Sequence, residues 1–209
     1  MTRIPAAERR AALARAALTV IARDGLAAAT TRAIVAEAGM PLASFHYAVA
    51  SRDELLRDVV ELVVAEEGTA AAALLQHASS IREAVLLALR GYLDHVRSDP
   101  GHEQAMFELT QYALRTPALA DLPAEQYARY RELAAGLLEI GAAAVGATWR
   151  IPVADLARLM VTLTDGITLA WLADRDDAAA ERSIEIAADT LVVLSTQNSS
   201  RENVPKEHA

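Results

Sequence analysis

The sequence predicts an all-α protein, and three observations carry that reading. Alanine dominates a 209-residue chain that is 53% hydrophobic but only 4% aromatic, a composition that suits helices better than pleated sheets. β-Branched and aromatic residues do not cluster at period two, and no Asn-Gly or Asp-Gly pair separates alternating runs, so strand and hairpin signals are nearly absent. Proline and glycine recur at Pro5, Gly25, Gly39, Pro41, Pro100, Gly101, Pro117, Pro123, Gly146 and Pro152, leaving segments of helical length between them.

The elements follow in order. A first helix is expected from about Pro5 to Asp24, with Leu13, Ala17, Val20 and Ile21 on one face and Arg9, Arg10, Arg15 and Arg23 mostly elsewhere. Gly25 can take the left-handed position that ends it. Two short helices are expected at Thr31 to Ala38 and Leu42 to Ala48. A long one opens at Arg52 behind Ser51, a good N-cap, and runs to about residue 75. Longer helices are expected at about 80–98, 102–115, 123–146, 153–174 and 178–195. Residues 197–209 read as a flexible polar tail.

Composition narrows the function. The length fits one domain or one and a half, at roughly 100–200 residues per domain. With no cysteine, disulfides, iron–sulfur clusters, thiolate zinc sites and cysteine nucleophiles are all excluded. The amino-terminal segment is charged throughout and lacks the apolar block of a secretory signal. The most apolar stretches, Val153 to Ala173 and Glu66 to Leu75, are interrupted by Asp155, Arg158 and Asp165 or by Glu66 and Glu67, so no membrane span is expected. The reading is a cytoplasmic protein. Five histidines (His46, His77, His95, His102, His208) form no H-E-x-x-H pair, and G-x-S-x-G, P-loop and G-x-G-x-x-G motifs are missing. Neither catalysis nor a cofactor nor a metal is expected, and His102 with Glu103 reads as a solvated helix start.

Charge is uneven. Residues 1–57 hold eight arginines against five acids, a balance of +3, and the chain's total of −8 leaves −11 for the remainder. A basic amino-terminal module on an acidic body suits a protein that meets a polyanion at one end only. In the same region Thr30 to Val49, TTRAIVAEAGMPLASFHYAV, has the grammar of a helix-turn-helix. Ile34, Val35 and Ala38 give the first short helix an apolar face, Gly39 makes the turn, and Phe45 buries the second helix, which such motifs present to the major groove.

The neighbouring residues make the pattern specific. A helix ending in RDG, then TTRAIVAEAG, a short helix ending in HY, and SRDELL opening a long helix resemble the TetR family of one-component transcriptional regulators, over about residues 9 to 60 without a gap. The resemblance implies a nine-helix architecture: a helix-turn-helix DNA-binding domain over 1–51 and an effector-binding and dimerisation domain over 52–196. It implies a regulator, by default a repressor, that binds double-stranded operator DNA and a small-molecule effector. Thr31 and Arg32 would touch phosphates or a base edge, and Leu42, Ala43 and Ser44 would open the recognition helix over the groove. His46, Tyr47 and Arg52 would reach backbone phosphates. Tyr47 has an alternative, packing against the first helix. The chain departs from the family at Leu42, often polar or basic there, at Ala43, often glycine or proline, and at Val49, often aromatic. Its recognition helix therefore offers few hydrogen-bonding groups, which shifts reading toward thymine methyls, Arg32 or DNA shape.

In the family the body holds an effector pocket, and the last two helices pair with their copies. Leu156, Met160, Leu163, Ile167 and Trp171, with Ile184, Ala188, Leu191 and Ser195, form one apolar stripe on the helices near 153–174 and 178–195. Leu159, Leu169, Leu172, Ile186 and Val193 form a second. Helices apolar on two sides are buried on two sides, which predicts a homodimer. Pocket candidates are residues with polar or aromatic tips on apolar faces: His95, Met106, Phe107, Gln111, Tyr112, Tyr127, Tyr130, Trp149, Thr162, Asp165 and Trp171. The effector is expected to be mostly apolar, because Asp165 and His95 are the main candidates for buried charge. A helical carrier without DNA binding is the alternative, and it leaves the coincidence of basic charge and turn grammar unexplained.

Overall fold

The computed structural model describes residues 5–75 and 78–197, with the side chains of 65–74 and of 197 left out. Among the described residues nine α-helices form: α1 Ala6–Asp24, α2 Thr31–Glu37, α3 Leu42–Ala48, α4 Arg52–Leu75, α5 Ile81–Ser98, α6 Pro100–Ala113, α7 Leu122–Ala144, α8 Val153–Asp174 and α9 Asp177–Val193. Their starts are chemically marked. Thr30 accepts from the Ala33 amide at 3.2 Å, Asp99 from His102 at 3.1 Å and Asp176 from Ala179 at 2.9 Å, satisfying amides that a helix leaves without partners. Ser51 and Glu54 act as a pair at α4, with Ser51 Oγ accepting from the Glu54 amide at 3.0 Å and Glu54 reaching back to the Ala50 amide at 2.6 Å. Ser80 and Glu83 repeat the device at α5.

Two cores result. The first packs α1, α2, α3, α4 and α6 around Leu13, Ala17, Ile21, Ile34, Phe45, Leu55 and Leu109. The second packs α5, α7, α8 and α9 around Leu89, Leu93, Leu156, Trp171, Ile184 and Leu191. Gly39, between α2 and α3, has φ of 64°, a conformation that glycine reaches without steric cost and that lets the two short helices cross. Gly25 differs from expectation. It also has positive φ, 82°, but its ψ of 163° lies outside the left-handed helical well, in a region open essentially to glycine alone.

The body differs from expectation in detail. Strand signals are nearly absent from the sequence, yet β1 (Ala147–Trp149) and β2 (Ser195–Gln197) pair antiparallel, with Trp149 opposite Ser195. Ser195 therefore lies in β2, not on the last helix, which ends at Val193. Three-residue strands carry too few positions for a period-two pattern, and only their meeting in space defines them. By length and composition alone α8 is long and apolar enough to cross a membrane. Of its apolar residues, Leu156, Met160 and Trp171 are buried in the second core. Of the expected tail 197–209, residues 198–209 lie outside the described residues.

The two apolar stripes of α8 and α9 have different fates. Leu156, Ile184, Ala188 and Leu191 are fully buried within the protomer, whereas Leu169, Ile186 and Val193 are 59%, 67% and 72% exposed. The other two residues of that stripe, Leu159 and Leu172, are half-buried against the second core, so three of its five residues face solvent on a single chain.

Candidate DNA interface and effector cavity

Most of the residues singled out for DNA contact lie at the surface of the helix-turn-helix. Arg32, Leu42, Ala43, His46 and Tyr47 are exposed, and Thr31 and Ser44 are half-buried. Tyr47 is 81% exposed, so its ring does not pack against α1. Phe45, 2% exposed, anchors α3 in the first core as expected.

Much of the arginine charge counted in the sequence is spent internally. Arg10 on α1 pairs with Asp58 at 2.6 Å and Glu54 at 2.7 Å on α4. Arg23 pairs with Asp24 and with Glu37 of α2, both at 2.9 Å. Arg57 on α4 binds Asp121 at 2.5 Å and Glu125 at 3.1 Å, both from the start of α7 and the turn before it. Arg32 is exposed and makes no ion pair among the described residues, so its guanidinium is available to a phosphate or a guanine edge.

Arg52 is a correction. Expected at a phosphate, it instead donates Nε to the Ala29 carbonyl at 2.8 Å and Nη2 to the Leu26 carbonyl at 2.7 Å, and it stacks over the Tyr112 ring at 5.5 Å. A half-buried guanidinium satisfies two loop carbonyls here, and cation–π contact holds its plane. Arg52→Ala should lower stability by about 2 kcal/mol, since charge-assisted bonds to partly buried carbonyls are lost. The denaturant midpoint should move while the salt dependence of DNA binding stays put; the reverse pattern would restore the phosphate role.

Below this module a cavity of about 280 Å³ opens among α4, α5, α6, α7, α8 and β1. Of the expected pocket residues, His95, Met106, Phe107, Tyr127, Tyr130, Trp149 and Asp165 line it. Four do not. Gln111 is exposed on the far side of α6, and Tyr112 lies beneath Arg52. The Thr162 hydroxyl is exposed and donates to the Arg158 carbonyl at 2.9 Å. Trp171 belongs to the second core, donating Nε1 to Asp177 at 2.8 Å with Arg175 stacked at 4.3 Å. On a helix of mixed composition, an aromatic or polar tip does not say which side faces the void.

The sequence reading missed Glu103. Far from being a solvated helix start, its carboxylate is 6% exposed and lines the cavity. Tyr92 OH lies 3.5 Å from Glu103 Oε2 and accepts from Thr168 Oγ1 at 3.0 Å. Among the described residues, Glu103 Oε1 has no hydrogen-bond partner. Burial pushes the carboxyl up to about 7, with Asp165 and Asp99 adding to the rise and the Tyr92 hydroxyl opposing it. Asp165, accepting from Tyr127 OH at 2.7 Å, is also raised by burial, and Tyr127 is raised by burial and by that carboxylate. Thr110 donates to Gln126 at 3.0 Å, and Gln126 donates to Tyr130 OH at 3.3 Å. One signal could have found the acid. Glu103, Met106, Phe107 and Thr110 sit at i, i+3, i+4 and i+7, the spacing of a single helix face.

α6 also reaches the DNA module. Glu108 Oε2 accepts the Leu26 amide at 2.9 Å, five residues from the acid in the cavity. α7, which contributes Tyr127 to the cavity, holds α4 through Arg57 and through Arg129, 3.1 Å from Glu61.

Comparison with known proteins finds relatives of both halves of the chain. The model of bacterial regulatory proteins of the tetR family matches residues 13–59, and that of the BetI-type transcriptional repressor C-terminal domain matches 81–195. The HTH-type nicotine-responsive transcriptional repressor HdnoR of Paenarthrobacter nicotinovorans is 29% identical over 175 residues, covering 84% of this chain and 89% of that protein. A TetR-family transcriptional regulator from Rhodococcus sp. superposes with a TM-score of 0.73 at 22% identity, over 88% of this chain and 98% of that one. The multidrug binding protein EbrR complexed with ethidium superposes with a TM-score of 0.65 at 26% identity, over 87% and 97%. With both of its halves matched by models of one family, the chain belongs to the TetR family of bacterial transcriptional regulators.

Proposed function

We propose that this DNA-binding regulator is a homodimeric repressor that leaves its operator when a small molecule fills the cavity. The observation that carries the reading is the sharing of helices between cavity and DNA module. α6 offers Glu103 to the void and Glu108 to the Leu26 amide. α7 offers Tyr127 to the void and Glu125 to Arg57 of α4. A ligand that shifts either helix shifts the recognition helices with it, and two helices set for adjacent major grooves lose their register. Residues 1–51 form the DNA-binding unit in this reading, and 52–196 the effector and dimerisation unit. HdnoR is nicotine-responsive and EbrR binds ethidium, which favours a small aromatic effector here too.

The DNA contacts follow from exposure and chemistry. Arg32 reads a base edge or phosphate. Thr31, Ser44, His46 and Tyr47 supply phosphate contacts, and Leu42 and Ala43 offer methyl groups to thymine. Arg32→Ala should weaken operator binding by about 1–3 kcal/mol and Tyr47→Phe by less, with unchanged melting temperatures, because neither side chain is part of a core. Fluorescence anisotropy on operator duplex across a salt series measures both, and affinity should fall steeply with salt in the wild type. Wild-type affinity in both variants removes the site assignment.

A further inference from the structure

From the lining of the cavity we infer that the effector is an organic cation, a protonated amine or quaternary ammonium on an aromatic frame, with Glu103 as its counter-charge. This rests on the effector reading above and names its chemical class. Two carboxylates, Glu103 and Asp165, face the void, and no arginine or lysine lines it. Asp165 already accepts from Tyr127, whereas Glu103 Oε1, in a side chain that is 6% exposed, lacks a partner among the described residues. A buried carboxylate oxygen without a donor is costly, and an ammonium is the ligand group that relieves it most fully. Tyr92, Tyr127, Tyr130, Phe107 and Trp149 turn aromatic surface toward the same space, and ring faces attract cations, more strongly where water is excluded. An anionic ligand would meet two like charges. A neutral carbonyl compound would need Glu103 protonated, as a donor.

The pH dependence separates those occupants. With burial holding Glu103 near 7, a cation must displace its proton below that pH, so cation affinity rises from pH 6 to pH 8, by about ten-fold if Glu103 alone titrates. The other titratable groups around the void are Tyr92 and His95 on α5, His102 on α6, Tyr127 and Tyr130 on α7 and Asp165 on α8, with Asp99 at the start of α6. Glu103→Gln separates the contribution of Glu103 from that of the other groups.

The experiment is calorimetric titration of the full chain with 2-naphthylmethylammonium, 2-naphthylmethanol and 2-naphthoate at pH 6, 7 and 8. The cation should bind at least ten-fold more tightly than the alcohol at pH 8, and the carboxylate most weakly. Glu103→Gln should erase the cation's preference and its pH slope while leaving the alcohol within about two-fold. The pH series on the wild-type chain tests the idea even if that variant folds poorly. Alcohol binding equal to or better than cation binding, a flat pH series, or absence of cation binding at millimolar concentration overturns the inference. An operator-release assay with the same three compounds runs in parallel. Cation binding without release keeps this inference and sinks the repressor-release reading, whereas release by the alcohol alone does the opposite.

Discussion

Leu169→Glu combined with Ile186→Glu should convert the protein to a monomer in sedimentation velocity and cut operator affinity at least a hundred-fold, while leaving its helicity intact. Both residues belong to the exposed stripe of α8 and α9, at 59% and 67% exposure, next to Val193 at 72%. Burying a large aliphatic side chain contributes about 1.5–3 kcal/mol, and a symmetric interface counts each twice. A carboxylate placed there adds an unpaired charge that association would have to desolvate. Losing the dimer also loses one of the two half-site contacts, which carries the expected fall in DNA affinity. The fully buried residue of the other stripe makes the contrast. Leu191 is 0% exposed inside the second core, so Leu191→Glu should unfold the protomer instead of separating two folded ones. Dimers that persist with both exposed residues charged would place the interface elsewhere.

The second large effect is the pH dependence carried by Glu103. Its folded-state carboxyl sits near 7, against 4.5 for an unperturbed one, so between those values the folded chain holds a proton that the unfolded chain has released. Unfolding stability therefore falls as pH rises through that window. The loss is at most about 3 kcal/mol, and it is complete above pH 7. Glu103→Gln removes the titration, so the variant should gain on the wild type by up to that amount between pH 4.5 and pH 8, with the two converging toward acid. The difference between the two chains is the quantity to measure. Glu54, Glu83, Asp121 and Asp177 are held low by hydrogen bonds and arginine partners, which gives the whole-protein curve an opposite contribution. Urea midpoints at four pH values suffice, and a difference independent of pH would show that Glu103 is ionised in the folded state at no cost.

Local chemistry was legible in the sequence. The start of α4 follows from a single residue, Ser51, because a cap needs only one side-chain oxygen three residues from an amide. The nine helices among the described residues, within a few residues of their expected bounds, the turn at Gly39 and the burial of Phe45 all rest on spacing along the chain, and that information is wholly local. The family grammar of residues 9 to 60 is local too.

Tertiary structure decided whatever depends on what lies across from a residue. Arg52 and Arg32 look alike in sequence, yet one spends its guanidinium on the Leu26 and Ala29 carbonyls and the other faces solvent. The acid of α6 was assigned to a hydrated helix start because Pro100 and Gly101 precede it, but α5, α7 and α8 close over it and strip its water. The same holds for the two stripes of α8 and α9, alike in composition, of which packing against α5 and α7 buries one and leaves Leu169, Ile186 and Val193 of the other exposed. Burial and charge compensation are properties of several helices meeting, and spacing within one helix does not contain them.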